Sequence, residues 1–388
     1  MKRGVLKIVI LVSFSVCFFV ISCNTKTYFG RWMTWRSSDI GDANRFPAYP
    51  FTAAENPFRF QQQIDTSLSG LPVPYHGTTR KELDALLEES GSTAFLVLSH
   101  DTLVYERYFN EYSRESLNTS FSVAKSITSL MIGHAIDHRL IHSIDDPVTK
   151  YLPELSEVDS RYDKLTLAHV LDMRSGTRFK DHDLPWGDKP KAYYGPNLRD
   201  RVLHLPLTNE PGEKFQYNSY NPILAGVVLE RVSGMKPAKY FEENFWNLLG
   251  MEYDGSWSLD SEEHGMTKME SGINLRAIDF LKLGRLVLQN GVWGNNRIVS
   301  EDWLTQCTQI NKDEQLAEFG PEIYYSRFWW LFSKDHSTAY IVSGWGHLGQ
   351  YLYIFPDEKI VIVRMGTGTG NVESWSAVFK AVARKLSE

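Results

Sequence analysis

The chain is poor in cysteine. Of its three cysteines, Cys17 and Cys23 fall in or just behind an N-terminal apolar run, which leaves Cys307 alone in the body of the chain. An intramolecular disulfide framework is therefore excluded, and stability must come from a buried core. Positive charge is also short: 41 Lys and Arg stand against 47 Asp and Glu. No basic stripe breaks that balance, which speaks against nucleic acid as a partner, because phosphate binding draws on clustered Lys and Arg. Internal repeats and low-complexity tracts are absent. So are Gly-x-Ser-x-Gly and His-Glu-x-x-His, the signatures of α/β-hydrolases and of one large class of zinc proteases.

What is present begins with an export signal. Lys2, Arg3 and Lys7 form a basic head, and Ile8 to Ile21 is an apolar run of 14 residues interrupted only by Ser13 and Ser15. That length is short for a membrane span and suits a signal-peptide core. Ser22-Cys23 follows, and a small residue before a cysteine at this place resembles a bacterial lipoprotein signal. The resemblance implies that residues 1–22 are removed, that Cys23 carries lipid, and that the protein is held at the cell envelope outside the cytoplasm. An uncleaved anchor, or an ordinary signal peptide with an incidental cysteine, is the other reading. Without the three basic residues of the leader, 38 cations face 47 acids, a formal charge of −9. The 366 residues after position 22 can bury a large core.

Residues 23–78 read as an anchor and a wrapping spacer. Phe46-Pro47-Ala48-Tyr49-Pro50 and Gly70-Leu71-Pro72-Val73-Pro74 suggest extended, turn-rich chain. The spacing predicts a helix over 79–89, then a hairpin from strands 94–100 and 103–109 around Asp101-Thr102. A helix follows over 126–140, with Thr119 or Ser120 as its cap. Helix-like segments alternate with loops up to about Lys334, including 165–173, 221–233 and 277–289; Asn290-Gly291 stops the last of these. Strands are expected at 339–343, 351–355 and 360–365, and an amphipathic helix at 374–386. The fold class expected is α+β: one antiparallel sheet built from both ends of the chain and flanked by helices. A mainly helical region, about 145–335, is inserted within the 79–388 unit.

The most informative residues are Ser122 and Lys125, in Phe121-Ser122-Val123-Ala124-Lys125-Ser126 at the head of the 126–140 helix. Positions three apart share a helix face, so the Lys amine can reach the Ser hydroxyl. Serine is a weak nucleophile until a neighbouring base takes its proton. A helix N-terminus also offers free N–H groups suited to a developing oxyanion. Two later motifs complete a constellation: Phe215-Gln216-Tyr217-Asn218-Ser219, and Trp345-Gly346-His347-Leu348-Gly349-Gln350, which leads into a strand.

These three motifs, in this order, resemble the serine β-lactamase-like family: class C β-lactamases, D-alanyl-D-alanine carboxypeptidases, esterases and 6-aminohexanoate-dimer hydrolases. The likeness runs from about Phe46 to the C-terminus. It is supported by Thr166 to Gly176 and by Ile144-Asp145-Asp146-Pro147-Val148. The resemblance implies a Ser122 acyl-enzyme, with Lys125 as base and Tyr217 in proton transfer. It implies an oxyanion hole from the backbone N–H groups of Ser122 and Gln350, and substrate contacts at Ser219, His347 and Gly349. The expected substrate is a small-molecule ester or small amide, with β-lactamase or D,D-carboxypeptidase activity as the alternative. His347-Leu348-Gly349 stands where Lys-Thr-Gly is usual, and Ser219 where Asn is usual, which weakens the β-lactam reading. A non-catalytic binder of cell-wall fragments on the same scaffold is a further alternative.

No cofactor and no metal are expected. His134, His138 and His142 follow an i, i+4, i+8 series that could in principle hold a metal, but no motif marks a completing ligand, and a polar helix face is the simpler reading. Gly366 to Gly370 lacks the Lys-Ser/Thr of a phosphate loop and reads as a turn. Asp145-Asp146 reads as a turn or cap, and Cys307 as core.

Overall fold

The computed structural model describes residues 24–311 and 314–388. The expected leader and Cys23 lie outside them. Among the described residues no helix is long and apolar enough to cross a membrane.

Helix α1 (Tyr28–Trp35) comes first and strand β1 (Gln61–Gln62) follows. Strands β2 (Ser92–Ser99) and β3 (Thr102–Tyr108) form the expected antiparallel hairpin. His100 and Asp101 both adopt positive φ at its tip, as a two-residue turn matched to strand twist requires. Helices α2 (Val123–Asp137), α3 (Tyr220–Ser233) and α4 (Ala277–Leu288) fill the middle of the chain. Then come β4 (Ile323–Ser326), β5 (Trp329–Phe332), β6 (Ile341–Gly346), β7 (Gln350–Phe355), β8 (Ile360–Gly366) and α5 (Trp375–Ser387).

The eight strands form one sheet in the order β4-β5-β6-β7-β8-β2-β3-β1. The C-terminal β8 pairs antiparallel with β2, so the two ends of the chain meet at the sheet centre, as expected. Both central strands are buried along their whole length because helices cover both faces. Gly284 of α4 lies against Leu352 and Val361 on one face, while Phe379 of α5 meets Phe95 and Tyr353 on the other. A second sheet joins 48–51, 255–258, 273–275 and 118–119, in that order.

Three expectations need correction. Strands β4 and β5 lie inside the stretch read as helices and loops. Their turn, Arg327-Phe328, takes two positive φ values without Gly or Asn, so it carried no turn signal. The α2 helix starts earlier, at Val123. Its N-cap is Ser122, not Thr119 or Ser120, and the Ser122 side chain makes no capping bond. Residues 24–78 are more than a spacer: they place Phe51, Phe60, Leu68 and Val73 in the common core and add β1 to the sheet.

Helix α2 is buried over nearly its whole length, and Gly133 lets Trp303 lie directly on its backbone. A Cβ there would come within 2.1 Å of Trp303 Cδ1. Alanine is ordinarily the better helix residue by about 1 kcal/mol, but overpacking costs about 1–3 kcal/mol. Gly133→Ala is therefore expected to lower the denaturant midpoint despite its gain in propensity; an unchanged or raised midpoint would show that Trp303 gives way.

Candidate active site

The site forms where α2, α3, the turn after β6 and the 268–271 loop converge. Phe121 precedes Ser122 with φ +42, a left-handed conformation that costs a non-glycine residue about 1–2 kcal/mol. Its ring packs edge-on to His347 at 5.3 Å. Ser122 follows as the N-cap of α2, with its hydroxyl free of capping duty.

The hydroxyl has another partner. Lys125 Nζ lies 2.8 Å from Ser122 Oγ and donates to the Glu270 carbonyl at 2.9 Å. Lys125 is 1 % exposed. Burial pulls its pKa down to about 7; the Glu270 carboxylate opposes this and Lys268 reinforces it. A large fraction of the amine is therefore unprotonated near neutrality. The ammonium position lies 5.1 Å from the Tyr217 ring centre. Burial raises the Tyr217 hydroxyl to about 12, and its contact with Ser122 acts in the opposite direction. Tyr217 stacks on Trp330 at 5.6 Å, and Trp330 stacks on Trp345 at 4.4 Å, so its ring is fixed from the sheet side. The chain around it is pinned as well: Gln216 N–H donates to Met173 O, and Asn218 accepts from Tyr220 N–H.

Ser122, Ser219, His347, Glu270 and Tyr193 line one cavity of about 450 Å³. Ser219 is the N-cap of α3 and, like Ser122, makes no side-chain cap bond. Burial, with nearby Lys189, lowers the His347 pKa and keeps its ring uncharged at neutrality. Gly349 and Gln350 stand further in. Gln350 is fully buried and its side chain donates to Gly366 O at 2.6 Å. By contrast, Gly344 and Gly346 lie directly against the start of α2: a Cβ on Gly344 would meet Val123 Cγ1 at 2.7 Å, and one on Gly346 would meet Ser120 O at 2.5 Å.

One element escaped the sequence reading: a buried ion pair beside the lysine. Lys268 and Glu270 meet at 2.7 Å, 1 % and 3 % exposed respectively. Lys268 also donates to Tyr193 O at 2.6 Å, and Ser271 Oγ donates to Glu270 at 3.0 Å. The only signal in the sequence was a Lys and a Glu two apart within an otherwise weakly polar stretch.

The histidine series is a polar face only in part: His138 and His142 are exposed, but His134 is not. His134 is buried, bonds Tyr240 OH at 2.6 Å and stacks on His138 at 3.9 Å. Among the described residues no group of three or more His, Cys, Asp or Glu side chains could hold a metal. Cys307 is core: it is buried beside Ser129 and its thiol is pushed up to about 12.

A buried amine near its neutral point against a serine hydroxyl, on a mixed fold of this topology, defines a β-lactamase-like hydrolase. The Beta-lactamase family model matches residues 80–386, and the chain belongs to that family. It is 28 % identical over 306 residues to the 6-aminohexanoate-dimer hydrolase of Paenarthrobacter ureafaciens, covering 75 % of this chain and 76 % of that one. A Bacillus anthracis structure named as a candidate 6-aminohexanoate-dimer hydrolase superposes with a TM-score of 0.79 at 22 % identity, covering 92 % and 94 %. A penicillin-binding protein from Bacillus halodurans gives 0.61 at 18 % identity, over 79 % and 99 %. The last two likenesses establish the fold.

Proposed function

We propose that the protein is a serine hydrolase of esters or small amides that works through a Ser122 acyl-enzyme. The observation that carries this reading is the 2.8 Å approach of a buried, partly neutral Lys125 amine to Ser122 Oγ. The amine takes the hydroxyl proton as Oγ bonds the substrate carbonyl carbon. Tyr217 with Lys125 returns a proton to the departing alcohol or amine, and a water then releases the acyl group by the reverse relay. The oxyanion is held by the Ser122 N–H and a second amide. The sequence nominates Gln350; the close packing of Gly344 and Gly346 on α2 favours the intervening Trp345 N–H instead. A boronate adduct on Ser122 would decide between them by which amide lies within hydrogen-bond reach of its oxygen.

The neutral His347 and the apolar Leu348 favour esters and small amides over β-lactams, whose carboxylate calls for a fixed charge or hydroxyl at that place. Wild type and Ser122→Ala would be compared on p-nitrophenyl butyrate and on a chromogenic cephalosporin. Ester turnover that the substitution abolishes, with little cephalosporin cleavage, is the expected outcome; strong cephalosporin turnover would return the β-lactamase reading to first place. The anchor is proposed alongside: Cys23 carries lipid at the bacterial cell envelope, outside the cytoplasm. Metabolic labelling with palmitate should mark the wild type, and label retained by Cys23→Ala would refute it.

The pH profile is a second consequence. If free Lys125 amine is required, kcat/KM rises through about pH 7 and stays level above it, since Tyr217 titrates only near 12. Glu270→Gln removes a charge that favours the ammonium and should move this limb to lower pH. Lys268→Met removes a charge that disfavours it and should move the limb up. Shifts in the same direction, or none, would show that the pair is only structural.

A further inference from the structure

Nothing in the proposed chemistry uses the segment before residue 46, yet Trp32, Arg36, Ser37 and Ser38 line the cavity that holds Ser122. The segment is fastened to the domain. Arg31 is 4 % exposed and donates to the carbonyls of Thr25 at 2.8 Å, Tyr194 at 3.3 Å and Asp260 at 2.5 Å. Its guanidinium also lies 5.5 Å from the rings of Trp35 and Phe46. Tyr28 OH donates to Pro185 O at 2.7 Å, on the loop that supplies Asp183 to the same cavity. Arg36 ends α1 as its C-cap, its N–H bonded to Trp32 O. It is thus held at the wall rather than carried on a free tail.

Apart from the partly protonated Lys125 behind Ser122, the other charges around the cavity cancel. Asp183 pairs with Lys189 at 3.0 Å, and Glu270 with Lys268 at 2.7 Å. His347 is kept uncharged by burial. Among the described residues Arg36 is in no ion pair, and its side chain is exposed to solvent at the cavity. A partly enclosed cavity with one uncompensated guanidinium favours an anion, and a guanidinium matches the two oxygens of a carboxylate.

We propose that Arg36 is a specificity residue, selecting substrates that carry a carboxylate remote from the bond to be cleaved. This rests on the Ser122 reading. A charge-assisted hydrogen bond in such a setting corresponds to roughly a tenfold preference, and it weakens as salt screens it.

The test uses the full-length protein in detergent and two esters of equal acyl length, the p-nitrophenyl monoester of glutaric acid and p-nitrophenyl pentanoate. In Arg36→Ser the ratio of kcat/KM for the anionic over the neutral ester is expected to fall about tenfold, mainly through the KM of the anionic ester. Arg36→Glu should lower the ratio further, and added salt should lower it in the wild type. A ratio unchanged by Arg36→Ser overturns the proposal, as does a wild type that does not turn over the anionic ester. Failure of the underlying reading shows separately, as turnover that persists in Ser122→Ala. Arg36 is a surface side chain with no buried partner, so its replacement leaves the fold intact.

Discussion

Ser122→Ala is expected to lower ester kcat/KM by about 10⁴-fold or more while leaving the unfolding midpoint nearly unchanged. The two halves of that expectation have different origins. The catalytic loss follows because Ser122 Oγ is the hydroxyl hydrogen-bonded to Lys125 Nζ, and groups that act as one unit fail together when any member is removed. The stability is spared because the Ser122 side chain does not cap α2, so the helix loses no end bond when the hydroxyl goes. Lys125→Met should cost nearly as much activity, and the double variant little more than either single one. Residual wild-type rates, or losses that simply multiply in the double variant, would mean that the two side chains do not form a nucleophile and base. Mass spectrometry adds an independent check, since a slowly deacylating ester should leave its acyl group on the wild type and not on Ser122→Ala.

The parts legible in the sequence were those written in local pattern. The β2–β3 hairpin, the three C-terminal strands and α3 to α5 each show their period over a continuous run, and the sheet built from both ends followed from their order. Ser122 and Lys125 were legible because helix geometry alone sets their distance. Other features depend on contacts between remote segments. The β4–β5 hairpin was hidden because Arg327 and Phe328 take left-handed conformations that only tertiary packing enforces. The Lys268–Glu270 pair gains its meaning from burial under Tyr193 and Lys125, which no spacing announces. His134 looked like part of a solvated stripe because its partner, Tyr240, lies more than a hundred residues away. The wall made by residues 32–38 was missed because an irregular, turn-rich composition says nothing of where the chain is pinned.

Arg364 is the clearest case of a residue whose weight shows only in three dimensions, and its replacement carries the largest expected loss of stability. It sits in β8, fully buried, with no carboxylate among its partners. Burial lowers its pKa to about 9. Its donors are spent on Ser92 Oγ at 2.9 Å, Gly349 O at 2.7 Å, Ser90 O at 3.1 Å and Gly368 O at 2.8 Å, and it lies 3.9 Å from the Trp375 ring. Arg364→Met fits the volume but leaves two buried carbonyls, Gly349 O and Ser90 O, without that donor, at about 1–3 kcal/mol each, and frees the half-buried Gly368 O. Relief of the buried charge offsets part of this. The net expectation is a loss of about 2–4 kcal/mol, a large share of the stability of an ordinary domain. The effect should also reach the site. Gly349 closes the turn that carries His347; it has φ +78, and its Cα faces Arg364 Nη1 so closely that a Cβ would come within 2.1 Å. With the guanidinium gone, that turn loses the bond holding its last carbonyl, so kcat/KM should fall at temperatures where the variant is still folded. Arg364→Lys keeps the charge but cannot reproduce the fork, and should lie between the two. Denaturant unfolding and ester kinetics on the three proteins would test this. A methionine variant as stable and active as the wild type would show that the carbonyls find water and that Arg364 is dispensable.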